Sequence, residues 1–376
     1  MEVIMNKLFE PSSIKSMHLN NRFVRSATWE GLADNDGFVT PGLTKMMVEL
    51  AEGEVGLIIS GYTFVSPEGK SSPGQLAVWN DHFLPGLKDM VKAVHDAGGR
   101  IALQLVHGGC FSDPVLTGMK AVGPSDNEKG GQPPCHAAGR KDIEGMVFAF
   151  THGAARAIKA GFDAIQIHAA HGFLLSQFLS PAFNRRNDEY GGSLENRARI
   201  LLEVVENTRK EVGPDYPILV KLNSEDFLEN GMGREEAVRV SAMLEQSSID
   251  AIEYSGGTVA SAEFMAPRPG MLKTPEEEVY YRAAARQYKQ NVAIPLMLVG
   301  GIRSYTVAEE LVQSGTADYI ALSRPFICEP HLVKRWREGD HRRAECVSDN
   351  ACFAPTAEGK GICCVTMQKK RRTAGI

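Results

Sequence analysis

Eight short apolar runs alternate along the chain with eight amphipathic ones, and this alternation restricts the fold more than any other feature. The strand-like runs are Arg22–Ala27, Val55–Ser60, Arg100–Leu105, Phe162–His168, Pro217–Leu222, Ala251–Tyr254, Pro295–Val299 and Tyr319–Leu322. Each is mainly Ile, Val, Leu or Ala, as expected of strands covered on both faces. Helical periodicity falls near Pro41–Glu52, Pro85–Ala97, Ile143–Ala160, Leu194–Val212, Arg234–Glu245, Glu276–Lys289, Thr306–Ser314 and His331–Glu338. In a chain of 376 residues the pattern predicts an α/β fold, a (β/α)8 TIM barrel. A doubly wound sheet would place a Gly-x-Gly-x-x-Gly turn after its first strand, and Ala27-Thr28-Trp29-Glu30-Gly31 is not one.

The connections are unequal. Those leaving the carboxyl ends of strands include two long ones, Val106 to Asp142 and Ala169 to Ser193, whereas most returns are short. In a barrel the long loops share one face, the functional one. Val106–Asp142 is rich in Gly, Pro and small residues and reads as a mobile lid. Asn6–Leu19 reads as a hairpin plugging the opposite end. The expected barrel fills residues 1–340, and a short cysteine-containing extension occupies 341–376.

The formal charge of −5 lacks the basic stripe expected of a nucleic-acid partner. The terminal cluster Lys369-Lys370-Arg371-Arg372 reads as a solvated tail. No apolar run approaches the roughly 20 residues that span a bilayer, and no secretion signal opens the chain, so a cytoplasmic address is expected. The seven cysteines are odd in number, with four after residue 345. That distribution argues against a disulfide scaffold and for one local cluster in a reducing compartment.

The residues at the strand ends give the contents of the pocket. In order they are Ser26, Ala27 and Thr28; Gly61 and Tyr62; Gln104 and His107; His168 and His171; Lys221 and Asn223; Ser255-Gly256-Gly257; Gly300-Gly301; and Ser323-Arg324. Two imidazoles three residues apart, where a strand gives way to a loop, form a site rather than a core feature. Glycines after the seventh strand let backbone N–H groups approach an anion, and Ser323-Arg324 in the partner loop completes a phosphate site. Gln104 can pair with a ring carrying adjacent carbonyl and N–H groups, and Lys221 can stabilise negative charge on it. An isoalloxazine satisfies both, so FMN is the cofactor inferred. The plainer readings, an Arg bridged across the rim and ordinary polar strand ends, stay open at this stage.

Longer stretches carry a resemblance. His168-Ala169-Ala170-His171-Gly172, Asn184-Arg185-Arg186 and Asp188-Glu189-Tyr190-Gly191-Gly192-Ser193-Leu194-Glu195-Asn196-Arg197 resemble the old yellow enzyme family of FMN-dependent NAD(P)H oxidoreductases. Leu8-Phe9-Glu10-Pro11, Asn21-Arg22-Phe23-Val24, Gln104-Leu105-Val106-His107 and Gly161-Phe162-Asp163 agree with it. The resemblance implies FMN at the strands' carboxyl ends, with NADH or NADPH as reductant. Ser26, Ala27, Thr28, Gly61, Gln104 and Lys221 would lie against the flavin, and Gly300, Gly301, Ser323 and Arg324 would hold its phosphate. His168 and His171 would be catalytic, donating hydrogen bonds to the oxygen of an α,β-unsaturated carbonyl compound whose C=C bond is reduced.

Three departures mark this chain. Many members have Tyr two residues after the second histidine, as the acid protonating the α-carbon, and here Phe173 has no proton to give. Trp29 stands where a subgroup has Cys, and would narrow the pocket. Cys110 and Phe111 stand where bacterial reductases carry basic residues. In the extension, Cys346-Val347-Ser348-Asp349-Asn350-Ala351-Cys352 with Cys364 resembles the iron–sulfur motif of longer relatives, trimethylamine dehydrogenase and dienoyl-CoA reductase. Asp349 occupies the second ligand position, where oxygen substitutes poorly for thiolate. An intact cluster, a bound zinc and a relict thiol-rich tail remain open. The alternatives in function are an FMN-dependent dehydrogenase or demethylase, and a flavin-binding protein without turnover. The partner expected is a small-molecule substrate, with no nucleic acid or membrane; a homo-oligomer is allowed.

Overall fold

The structure, a computed structural model, describes residues 7–127 and 134–374. Met1–Met5, the first residue of the expected hairpin (Asn6) and residues 128–133 of the expected lid lie outside the described residues. Eight parallel strands close on themselves: β1 Phe23–Arg25, β2 Leu57–Ile59, β3 Ile101–Val106, β4 Ala164–Ala169, β5 Ile218–Asn223, β6 Ala251–Ser255, β7 Leu296–Val299 and β8 Tyr319–Leu322. Each pairs with its sequence neighbours, and β8 pairs with β1 through Ala321 and Val24. The helices between them are α1 Pro41–Glu52, α2 Leu84–Asp96, α3 Arg140–Ala160, α4 Leu194–Val212, α5 Arg234–Gln246, α6 Arg282–Asn291 and α7 Tyr305–Gln313. After β8 come two short helices, α8 Arg324–Cys328 and α9 Leu332–Arg337, and the chain ends in α10 Val365–Ala374. The (β/α)8 expectation therefore holds.

Alternation along the strands builds two apolar regions. Outward residues such as Phe23, Ile58, Leu103, Ile165, Val220 and Leu298 pack beneath the helices. Inward residues Val24, Leu57, Ile59, Ala102, Leu219, Met297 and Tyr319 form a separate cluster inside the barrel. Its floor is the hairpin Ser12–Ile14 and Met17–Leu19, which contributes Ile14, Met17 and Leu19. Truncating one of these fully buried residues to Ala removes both transfer energy and packing, about 2–5 kcal/mol.

Helix starts follow their caps. Thr40 Oγ1 accepts from the N–H of Leu43 at the head of α1, and Pro41 opens that helix. Ser193 caps α4 by accepting from the N–H of Asn196. One helix starts later than its periodicity predicts: α6 begins at Arg282 because Pro275–Glu277 forms a single 3-10 turn and Val279 adopts φ +64. That backbone turns the Glu278 carboxylate onto the N–H groups of Arg303 (2.7 Å) and Ser304 (3.0 Å).

The stretch from Asn184 to Arg197, which carries much of the resemblance, serves as scaffolding. Asn184 donates to the carbonyls of Phe178 and Tyr190, both at 2.7 Å. Arg186 binds the Asp188 carboxylate and donates to the carbonyls of Pro124 and Ala138. Arg197 is buried and reaches Glu236 and the carbonyl of Leu179. These bonds fix the loop after β4 against the loop after β3. The latter is also crossed by a disulfide between Cys110 and Cys135, whose Cα atoms are 5.1 Å apart. That corrects the expectation that cysteine chemistry is confined to one local cluster. The short pairing of Val122–Gly123 with His136–Ala137 brings the two residues together across 25 positions.

Candidate active site

A cavity of about 290 Å³ opens at the carboxyl ends of the strands. Ser26, Ala27, Thr28, Gln104, His168, His171, Lys221, Gly300, Gly301, Ser323 and Arg324 all line it. Gly61 does not: its N–H donates to Glu30 Oε1 (2.8 Å), and a Cβ there would fall 1.9 Å from Glu30 Oε2. Its neighbour Tyr62 lines the cavity instead. Trp29 also lines the cavity, its indole N–H held by the carbonyl of Pro73 at 3.1 Å.

Beneath the cavity runs a polar ladder set by strand register. Gln104 lies opposite Gln166, and Lys221 lies opposite both His168 and Glu253. Gln104 donates to Gln166 (2.6 Å), which donates to Glu253 Oε2 (2.9 Å). Lys221 Nζ donates to Glu253 Oε1 (3.2 Å) and to Ser26 Oγ (2.7 Å). Lys221 and Glu253 are 2% and 0% exposed, so each charge depends on the other. Burial pulls the lysine below its usual range, and Glu253 opposes that pull. Gln166 and Glu253 were not anticipated as site residues, although a polar side chain inside an apolar strand run was visible at both positions.

The histidine pair stands above this ladder. The ring centroids of His168 and His171 are 5.2 Å apart and nearly perpendicular. His171 adopts φ +62, held by its N–H on Asn223 Oδ1 (3.1 Å) and by Nε2 against Ser255 Oγ (2.7 Å). His168 Nδ1 is buried without a hydrogen-bond partner. Burial, then the neighbouring His171 and Lys221, pushes His168 well below the usual imidazole range. Burial and Lys221 do the same to His171. Both rings are therefore neutral at pH 7 and present N–H donors rather than charges. Phe173 packs 5.1 Å from His168 and 5.2 Å from Tyr62. The Tyr62 hydroxyl contacts Ser72 Oγ at 2.8 Å, and burial raises its pKa to about 12.

The other end of the cavity is built for an anion. Gly300 and Gly301 have φ +118 and +76, and a Cβ on either would strike the rings of Tyr281 and Tyr280 at 2.7 Å. Thr28 Oγ1 meets Ser323 Oγ at 2.7 Å. Arg324 donates to the carbonyl of Arg268 and to Asn350 Oδ1, both at 2.7 Å. Arg268 lies over the rings of Phe227 and Tyr280, 4.6 and 4.8 Å from their centroids, with Nε and Nη2 buried and unpartnered. Buried guanidinium N–H groups without acceptors, beside a left-handed glycine turn, fit a phosphate. The polar ladder fits the edge of a flavin. Arg268, Tyr280, Tyr281 and Phe353 were not read from the sequence, because loops rather than strands carry them to the cavity.

Residues 7–342 match the NADH:flavin oxidoreductase / NADH oxidase family. The chain belongs to that family. It is 34% identical over 354 residues to an NADH oxidase of Thermoanaerobacter brockii, covering 91% of this chain and 52% of that protein, so the chain spans about half that relative's length. It is 34% identical over 331 residues to an NADPH dehydrogenase of Bacillus licheniformis, covering 87% and 93% of the two chains. Among solved structures it is similar to morphinone reductase, with 29% identity, a TM-score of 0.76 and coverage of 92% and 96%. The resemblance to the old yellow enzyme family read from the sequence is thus borne out. Among the described residues no helix is long and apolar enough to cross a membrane.

The extension does not reproduce a cluster site. Cys346, Asp349, Cys352 and Cys364 border a gap of only about 10 Å³, room for about one water molecule. Asp349 is already engaged by Thr366 Oγ1 (2.5 Å) and the N–H of Ala351 (3.1 Å). Among the described residues no group of three or more His, Cys, Asp or Glu is arranged to hold a metal ion. The residues present therefore do not fit an iron–sulfur cluster or zinc. The segment folds back over the barrel instead, with the N–H of Ile362 on the carbonyl of Glu30 (2.7 Å) and Phe353 at the cavity wall.

Proposed function

We propose that this chain reduces the C=C bond of a small α,β-unsaturated carbonyl compound. Hydride drawn from NADH or NADPH is the chemistry that bound FMN supplies. In this reading Arg324, Ser323, Gly300 and Gly301 bind the phosphate of FMN, with Arg268 beside them. Ser26, Ala27, Thr28, Gln104 and Lys221 bind its ring edge. His168 and His171 bind the carbonyl oxygen of the substrate and stabilise the negative charge that develops there. A cytoplasmic setting would provide the nicotinamide reductant.

The carrying observation is the pair of neutral imidazoles, one with a buried, unpartnered nitrogen, in the wall of the cavity at the strands' carboxyl ends. Neutral donors suit an oxygen that is uncharged in the substrate and anionic afterwards, because they stabilise the later state more strongly. The α-carbon also needs a proton, and Phe173 cannot give it. Tyr62, ring to ring with Phe173, is the replacement donor: its raised pKa keeps it protonated until a strong base forms.

The test is reduction of a simple cyclic enone or maleimide by the flavin-loaded protein with NADPH or NADH. His168→Ala should lower the oxidative half-reaction about 10²- to 10³-fold while the flavin spectrum persists. Absence of enone reduction by wild-type protein whose flavin is bleached by NADPH would sink the proposal.

A further inference from the structure

The mismatch between the extension and a cluster site leaves its thiols to be explained. One of them, Cys364, meets a cysteine outside the extension, Cys328. Cys328 closes α8, the helix that opens with Arg324, and Cys364 immediately precedes α10. Separated by 36 positions in sequence, their sulfurs are 3.4 Å apart. A disulfide requires about 2.05 Å, so the two sulfurs must move closer for a bond to form.

The two thiols differ in access. Cys328 is buried, whereas Cys364 is half-buried. Both face a groove of about 350 Å³, separate from the flavin cavity, which Lys45, Glu49 and Arg371 also line. Cys364 sits at the head of α10 and meets Cys328 in the wall of this groove. An accessible nucleophile thus stands in front of a covered partner.

We propose that Cys364 and Cys328 form a thiol–disulfide exchange site for low-molecular-weight disulfides entering this groove. The Cys364 thiolate attacks one sulfur of the disulfide, whose S–S bond breaks to release one thiolate, which takes up the proton that Cys364 has lost to solvent. The mixed disulfide on Cys364 is then attacked by Cys328. The second thiol leaves with the Cys328 proton, and a Cys328–Cys364 disulfide remains. Two protein thiols are oxidised to one disulfide while one small disulfide is reduced to two thiols. A small dithiol reverses the sequence. Closure would tie α10 to α8, one turn beyond the residue proposed to hold the flavin phosphate.

The experiment uses the full-length, flavin-loaded protein and glutathione disulfide. After alkylation of the remaining thiols, peptide mapping should find Cys328 joined to Cys364, and dithiothreitol should release them. Cys328→Ser should stop at a glutathione adduct on Cys364, and Cys364→Ser should give neither product. Flavin absorbance and far-UV circular dichroism establish that each variant is folded. A variant that does not fold is replaced by rate measurements on wild-type protein, in which Cys364 should react with iodoacetamide about tenfold faster than Cys363. The proposal is overturned if glutathione goes to Cys346, Cys352 or Cys363 while Cys328 and Cys364 are both recovered alkylated. It is equally overturned if purified protein carries stoichiometric iron that shields Cys364 until it is chelated.

Discussion

Replacing Glu253 by Gln should destabilise the barrel by about 3–5 kcal/mol, the range for breaking a buried ion pair at one partner. At the 3.2 Å separation from Lys221, the attraction is about 5 kcal/mol for an effective dielectric near 20. Hydrogen bonding points the same way. The two carboxylate oxygens accept from Lys221 and Gln166, and an amide offers only one acceptor, so one N–H would face another donor. Lys221 would then be buried without its counter-ion and lose its proton at lower pH than in the wild type. The assay is urea or guanidinium unfolding of the flavin-free protein at pH 7, followed by circular dichroism. The double variant Glu253→Gln with Lys221→Met removes the stranded charge and should recover more than half of the loss. If Glu253→Gln alone unfolds within about 1 kcal/mol of wild type, the buried pair does not contribute as described.

Three further outcomes follow from the site. Tyr62→Phe should slow alkene reduction about 10²-fold without slowing flavin reduction, and Phe173→Tyr in that background should restore turnover; stopped-flow measurement of the two half-reactions checks both. The depressed histidines give a signed pH dependence. The native state keeps them neutral below the ordinary value of 6.5 whereas the unfolded chain protonates, so stability should fall as pH drops below 6.5 and the rate should show no ionisation near 6.5. Denaturation midpoints and a pH–rate profile measure these. Arg324→Ala should weaken FMN binding by about 10- to 100-fold, read by fluorescence recovery of released flavin, because a charged hydrogen bond to phosphate is worth about 1.5–3 kcal/mol.

What the sequence made readable follows from where each feature is decided. The eight strands are decided locally, by runs such as Ile218-Leu219-Val220 that bury both faces. The site residues at their ends were readable because a polar group such as Gln104 or Lys221 interrupts such a run. The carboxylate that balances Lys221 was not assigned, since Glu253 is significant only once β5 and β6 are in register. Arg268 depends on loop conformation and on rings from Phe227, Tyr280 and Tyr281, which no periodicity brings together. The Cys110–Cys135 bond was hidden for the same reason. Arg186 and Arg197 carry the family resemblance, and their partners are carbonyls and carboxylates that hold loops.

The hairpin that seals the far end of the barrel has a kinetic consequence. With Ile14, Met17 and Leu19 filling the floor and the Lys221–Glu253 ladder above, the cavity opens away from the hairpin, at the carboxyl ends of the strands. On the proposed function, donor nucleotide and electron acceptor would enter by that same end, and a berth shared there would make them take turns. Initial-rate plots against one should give parallel lines at fixed levels of the other, and each should inhibit competitively against its counterpart when in excess.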